Sequence, residues 1–316
     1  MTVPLPTLLD VEAARGRIAS RIRRTPILHA APVRDPAGSP TLWLKLENTQ
    51  ITGSFKARGA ANKLATLPPD GVARGLITAS GGNHGLGVAY AGWLAGVPAA
   101  IYLPGNTPRS KVHTLEAWGA RVIVEGAVWD DANRAALAAA ERDGLTYVHP
   151  FADPAVIAGQ GTLALEILED LPDVDTVVVA IGGGGLISGV GVAVRGRRPA
   201  TRVVGVEPVG APTLYESLRA GRLVELDAIR TAATTLAPRR SETVNLTLVR
   251  ETVERIVLVD DEEMREAARW LWHELGVGVE LSSAAAVAAV RTGRVPVRPG
   301  ERVCAVVCSA GTDGLD

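Results

Sequence analysis

The chain has 316 residues, with 33 Lys plus Arg against 34 Asp plus Glu and a formal net charge of −1. At about 150 residues per domain there is room for about two domains, and the even charge balance argues against a nucleic-acid-binding surface, which carries a clustered basic excess. A hydrophobic fraction of 47% excludes wholesale disorder, while 34 glycines and only 4% aromatics are unusual and direct attention to where the glycines sit.

Residues 1–24 lack a basic leader ahead of an apolar core, because Asp10 and Glu12 interrupt the segment early. No run approaches about 18 consecutive apolar residues, so no membrane span is expected and the chain reads as cytoplasmic. Alternating short β-branched runs and longer helical stretches predict strands at 42–46, 76–78, 99–103, 121–124, 146–149, 176–180, 202–206, 256–259 and 303–307. Helices are predicted at 9–21, 55–67, 84–95, 108–118, 130–142, 155–171, 186–194, 262–275 and 283–291. Pro108 suits a first helical turn, and Asp260 and Asp261 offer an N-cap to the helix at 262. Several strands are apolar on both faces, as a mostly parallel sheet covered by helices requires, which is the α/β class. Residues 78–149 read as a compact run of βα units. The expected division is therefore a small domain over 51–149 and a large one over 1–50 plus 150–316. Residues 222–250, polar and threonine-rich, read as a long surface excursion. Cys304 and Cys308 are evenly spaced in an apolar strand and read as buried thiols on one face, not as a metal site.

The strand at 176–180 runs into Gly182-Gly183-Gly184-Gly185-Leu186 and then a helix. Consecutive glycines at a strand-to-helix turn let the backbone approach an anion, and the helix end attracts it, so a phosphate site is one reading. A crowded turn needing positive φ is the other. The dinucleotide fingerprint G-x-G-x-x-G fails by one residue in either register, because Ile187 or Ser188 stands where its last glycine would. Glu207 ends the next strand where a ribose-binding acid would stand, so a dinucleotide-binding oxidoreductase stays open at this point. A second cluster, Ser80-Gly81-Gly82-Asn83-His84-Gly85, again joins a strand to a helix and has exposed amides suited to a carboxylate. His84 reads as a capping or packing residue, or as a base.

Gly53-Ser54-Phe55-Lys56-Ala57-Arg58-Gly59 is the most informative stretch. Ser54 offers an N-cap, which puts Lys56 in the first turn, where its cation opposes the helix dipole. Such a lysine is either solvated or neutral and covalently used. An aldehyde cofactor bearing a phosphate needs one lysine and one glycine-rich cup. With these motifs in order, the segment Phe151 to Thr162 and the end Val307-Cys308-Ser309-Ala310-Gly311-Thr312, nearly the whole chain resembles the threonine/serine dehydratase family of pyridoxal-phosphate enzymes.

The resemblance implies the tryptophan-synthase-β-like fold: two open twisted sheets, each flanked by helices, with pyridoxal 5'-phosphate in the cleft between domains. It implies that Lys56 carries the cofactor and acts as the catalytic base, with Phe55 beside it and Asn83 at its phenolic oxygen. Gly182, Gly183, Gly184, Gly185 and the amide of Leu186 would hold the phosphate. Ser309 would face the pyridine nitrogen, and its neutral hydroxyl leaves a weaker electron sink, which suits elimination. Ser80, Gly81, Gly82, Asn83 and His84 would take the carboxylate of an amino-acid substrate. The implied activity is deamination of a β-hydroxy amino acid such as L-threonine or L-serine to a 2-oxo acid and ammonia, in a homodimer.

The sequence departs from the family at three places. Gly81 stands where the serine racemases carry a second acid/base, which disfavours racemisation. A divalent-metal site resembles Glu207 and Ala211 but meets Thr213 at its third position, and no metal is assigned. No regulatory domain follows, so isoleucine feedback through one is not expected. Racemisation or β-replacement on the same scaffold, the dinucleotide-binding oxidoreductase and a catalytically silent binding protein are the alternatives.

Overall fold

A computed structural model describes residues 4–315 except Val33, Gly38 and Pro40. A capping box of Thr7 and Asp10 opens α1 (Leu8–Ile18), and a short edge strand β1 (Ile27–His29) leads into β2 (Leu42–Leu46). Then follow α2 (Lys56–Ala65), α3 (Pro69–Arg74), β3 (Leu76–Ala79), α4 (Asn83–Ala95), β4 (Ala99–Leu103), α5 (Arg109–Ala117), β5 (Arg121–Val124), α6 (Trp129–Asp143) and β6 (Thr146–Tyr147). The chain continues through α7 (Pro154–Asp170), β7 (Thr176–Ala180), α8 (Gly185–Arg197), β8 (Arg202–Pro208) and α9 (Thr213–Ala220). It ends with α10 (Thr243–Thr252), β9 (Arg255–Val259), α11 (Asp261–Leu275), α12 (Leu281–Arg291) and β10 (Val303–Val307). No described helix is long and apolar enough to cross a membrane.

The strands form two sheets. One has the order β1-β2-β10-β7-β8-β9 and is parallel except for β1, which runs antiparallel to β2. The other, β5-β4-β3-β6, is parallel throughout. Strand β10 explains why both faces of such runs are apolar. Cys304 and Val306 enter a core covered by α1, α7, α8 and α10, while Val303, Ala305 and Val307 enter one covered by α11 and α12. Both cysteines are free, and burial raises Cys304 to about 12 and Cys308 to about 11, so they remain thiols. In the second sheet α2, α4 and α5 cover one face and α6 the other.

The excursion expected over 222–250 is corrected at its end. Residues Thr243–Thr252 form α10, whose Val244, Leu246, Leu248 and Val249 are buried against α8 and its surroundings. Interleaved threonine and asparagine mask that apolar stripe in the sequence. The short elements α3, α9 and β1 were also not expected. The strand expected over 146–149 stops at Tyr147, and α12 starts two positions before Ser283, at Leu281. Asp260 caps α11 as its sequence suggests.

Helix α7 ties the molecule together. Asp153 accepts from the Ala155 amide at 2.8 Å and caps its start. Two glycines then let it approach a neighbour on each side: a Cβ at Gly159 would lie 2.7 Å from the Arg58 carbonyl on α2, and one at Gly161 would lie 2.7 Å from the Gly189 carbonyl on α8. Beneath the α2 contact lies a buried ionic cluster. Arg58 donates to Glu47 through Nε and Nη2, both at 2.7 Å, and to Glu166 at 2.7 and 2.9 Å. Lys45 donates to Glu166 at 2.6 Å and to the Thr25 carbonyl at 2.8 Å. Arg58, Lys45 and Glu47 are each 0% exposed. Burial opposes the charge on Arg58, yet the two carboxylates raise its pKa, and against the same burial Arg58 and Lys45 hold Glu166 below its usual range.

Removing one member of such a cluster leaves uncompensated buried charge, which costs about 3–5 kcal/mol. Arg58→Met is therefore expected to lower unfolding stability by about that amount in a urea titration. An unchanged midpoint would contradict the description of the cluster.

Candidate active site

The connections after the C-terminal ends of β2, β3, β6, β7 and β10 come together at one place, where parallel sheets usually bind a ligand. Lys56 is the first residue of α2. The expected Ser54 cap is not made: Phe55 holds the N-cap position, and Ser54 instead pairs by its backbone with Ser309, its hydroxyl buried without a partner. The turn of φ 62° at Thr52 and φ 74° at Gly53, with the Phe55 amide on the Cys308 carbonyl at 3.1 Å, delivers the lysine. Lys56 Nζ donates to the Pro150 carbonyl at 2.6 Å and stands 5.2 Å from the centre of the Phe55 ring. Burial brings its pKa down to about 8, against some support for the charge from Cys308 and Glu280. The amine thus keeps a substantial neutral fraction near physiological pH, which an ordinary lysine of pKa 10.5 does not.

Pro150 belongs to a turn pinned by His149, whose Nδ1 accepts from the amides of Phe151 and Ala152 at 3.2 and 2.9 Å. Burial lowers the His149 pKa to about 4, and nearby Lys56 adds to that, so the ring is a neutral acceptor. The next residue, Phe151, packs on the glycine turn. A Cβ at Gly183 would overlap its ring, and one at Gly185 would lie 2.7 Å from its carbonyl. Gly182 meets the Thr235 carbonyl at 2.8 Å, and Gly184, at φ +97°, meets Leu214 at 2.8 Å. All four glycines are therefore required by crowding as well. The crowding and phosphate readings are compatible, because α8 begins buried with no side-chain cap, leaving first-turn amides for an anion.

The loop after β3 leads into α4, whose N-cap Gly82 likewise brings no side-chain cap. Ser80 Oγ accepts from the Gly82 amide at 3.3 Å, and the space where a Gly82 Cβ would stand is open to 4 Å. Gly81 backs onto Leu103 and Thr107, at 3.2 and 3.3 Å from its Cβ position. His84 is buried with Nε2 on the Val148 carbonyl at 2.9 Å, and burial, then Lys56, lowers its pKa. Its ring is a neutral packing group; its backbone belongs to the open first turn.

Asn83 donates to Glu280 Oε1 at 2.9 Å, and Ser309 Oγ donates to the same oxygen. Ser309 is further fixed by Ser283, whose Oγ lies 2.6 Å from its hydroxyl and accepts its amide at 2.8 Å. Sequence reasoning missed Glu280 and Ser283. The available signal was a lone acid in the apolar run Val277-Gly278-Val279-Glu280-Leu281. Glu207 is occupied elsewhere: its two oxygens accept from the Leu214 and Tyr215 amides, both at 2.8 Å, and burial raises its pKa to about 8. Thr213 Oγ1 donates to the Pro238 carbonyl at 2.7 Å. Among the described residues no group of three or more His, Cys, Asp or Glu could hold a metal ion.

A half-buried amine of lowered pKa, a buried uncapped helix start and a fixed hydroxyl fit an aldehyde cofactor with a phosphate. The comparisons agree. The family described as pyridoxal-phosphate dependent enzyme matches residues 18–309. An L-threonine ammonia-lyase of Thermotoga maritima is 41% identical over 307 residues, which cover 97% of this chain and 76% of the relative. The solved structure of maize serine racemase superposes with a TM-score of 0.93 at 32% identity, covering 98% of this chain and 95% of the other. The processed threonine deaminase isoform 2 of Solanum lycopersicum gives 0.91 at 33%, covering 99% and 94%.

Competitive acetylation of the four lysines in cofactor-free protein, followed by mass spectrometry, tests the electrostatics. Lys56 is expected to titrate near pH 8, its reactivity rising as pH climbs through that value. Titration near its ordinary value of 10.5 would contradict the burial argument.

Proposed function

The chain belongs to the family of pyridoxal-phosphate dependent enzymes, and on that premise we propose that it is an ammonia-lyase that converts a β-hydroxy amino acid, L-threonine or L-serine, to a 2-oxo acid and ammonia. The observation that carries this reading is a lysine with a pKa near 8 and the uncapped glycine turn of α8, joined through the three residues His149 to Phe151. Bound pyridoxal phosphate supplies an aldehyde that captures amino groups and a ring that withdraws electrons from the adjoining carbon.

The protein's own groups do the rest. Gly182 to Gly185 and the amide of Leu186 would hold the phosphate, Phe55 and Lys56 would serve the aldehyde end, Asn83 would serve the phenolic oxygen and Ser309 the ring nitrogen. The first turn of α4, with Ser80, Gly81, Gly82, Asn83 and His84, takes the substrate carboxylate through backbone amides and the Ser80 and Asn83 side chains. Lys56 removes the α-proton as general base. Water is lost at the β-carbon and regained on hydrolysis, so the net products are the 2-oxo acid and ammonia. Racemisation needs a second proton donor on the opposite face, and Gly81 has no side chain to serve as one. Free buried Cys304 and Cys308 support a cytoplasmic setting, and the family resemblance supports a homodimer. The division into 51–149 and the remainder follows the two sheets.

The holoenzyme is expected to release ammonia and 2-oxo acid in equal amounts from at least one β-hydroxy amino acid in a substrate screen. Lys56→Ala is expected to lower kcat by roughly a thousandfold. Full turnover in Lys56→Ala, or conversion to the other enantiomer without ammonia as the main reaction, would overturn the assignment.

A further inference from the structure

Glu280 occupies a position that ordinary roles do not explain. It is the N-cap residue of α12, yet its side chain makes no capping bond. Among the described residues no Lys or Arg forms an ion pair with it. Its carboxyl is half-buried, and burial pushes its pKa up. A buried carboxyl without a cation is costly unless its oxygens are hydrogen-bonded.

What holds it is three donors from three separate segments, all ending on one oxygen. Asn83 Nδ2 comes from the start of α4 at 2.9 Å, Thr235 Oγ1 from the loop before α10 at 3.0 Å, and Ser309 Oγ from the end of β10. Each segment forms one edge of the cleft. Asn83 belongs to the loop proposed for the substrate carboxylate and the phenolic oxygen. The carbonyl of Thr235 is what Gly182 packs against at the proposed phosphate turn. Ser309 is the hydroxyl proposed for the ring nitrogen. Such a group fixes several ligand-facing side chains without touching the ligand, as supporting shells do in other sites.

We propose that Glu280 is a positioning residue whose Oε1 aligns Asn83, Thr235 and Ser309 on the three edges of the cofactor cleft. The proposal rests on the pyridoxal-phosphate site assigned above. Because the three donors need one acceptor oxygen and no charge, an amide carbonyl can replace the carboxylate. With its one proton on Glu280, Ser309 accepts from the Ser283 hydroxyl at 2.6 Å, so the set of the hydroxyl proposed for the ring nitrogen, and with it the bound cofactor's visible absorbance, depends on the Glu280 bond.

The test compares Glu280→Ala and Glu280→Gln with the wild-type protein. Pyridoxal phosphate is titrated into each cofactor-free protein, and the absorbance band of the bound cofactor, kcat and KM are recorded, with circular dichroism to confirm folding. Glu280→Ala is expected to bind the cofactor at least roughly 10-fold more weakly, with a displaced band and a lower kcat. Glu280→Gln is expected to keep the wild-type band and to bind within about 3-fold of wild type. An Ala variant with wild-type affinity and band overturns the proposal, and so does a Gln variant as impaired as Ala. Failure of the wild-type protein itself to bind pyridoxal phosphate would instead overturn the site assignment.

Discussion

The buried pairing of Arg58 with Glu47 and Glu166 is the constraint from which the site follows. Its two cations and two carboxylates, with Lys45 as the fourth member, are balanced and almost wholly removed from water. Arg58 is two residues from Lys56 on the first turn of α2, so the cluster fixes the rotation and height of that helix against β2 and α7. A guanidinium suits the task because its planar fork meets both carboxylates in fixed geometry. The close approach at Gly159 then leaves no room for even a Cβ between α7 and the Arg58 carbonyl of α2.

With α2 fixed, Lys56 has little choice of partner. Its amine meets the Pro150 carbonyl in a setting where burial disfavours the charge, and the positive end of α2 adds to that penalty. The same short segment carries Phe151 onto the glycine turn, so the Lys56 amine and the start of α8 are tied to one stretch of backbone. The far side closes through Thr235, Glu280 and Ser309 back to Ser54. Lys56, Pro150, Phe151, the glycine turn and Ser309 follow the C-terminal ends of strands, where function can vary without disturbing the cores, while Thr235 and Glu280 come from connections between helices.

How much of this was legible in the sequence depended on whether a signal was local. The run Val303 to Val307 announced a strand buried on both faces, and both faces are indeed core. The glycine clusters and the Lys56 segment stood out because their chemistry is written in consecutive residues, and the segment His149 to Phe151 joins Lys56 to the turn at Gly183. The helix α10 was hidden by Asn245, which reads as surface but is buried, and by Thr247 and Thr252, which are half-buried. The charges of Lys45, Glu47 and Glu166 gave no hint of burial, since only tertiary convergence pairs them with Arg58. Glu280 was missed for the same reason: its three partners lie 29, 45 and 197 residues away. The glycine turn itself combines close packing with helix-start amides that no side chain caps, two features that sequence reasoning had set against each other.

The claim on which the rest stands is that Lys56 is the amine that meets the cofactor. Borohydride reduction of the protein loaded with pyridoxal phosphate, followed by peptide mapping, reads it directly among the four lysines. The cofactor is expected on the peptide containing Lys56 alone. Label on Lys45, Lys63 or Lys111 instead, or no label at all, would contradict it.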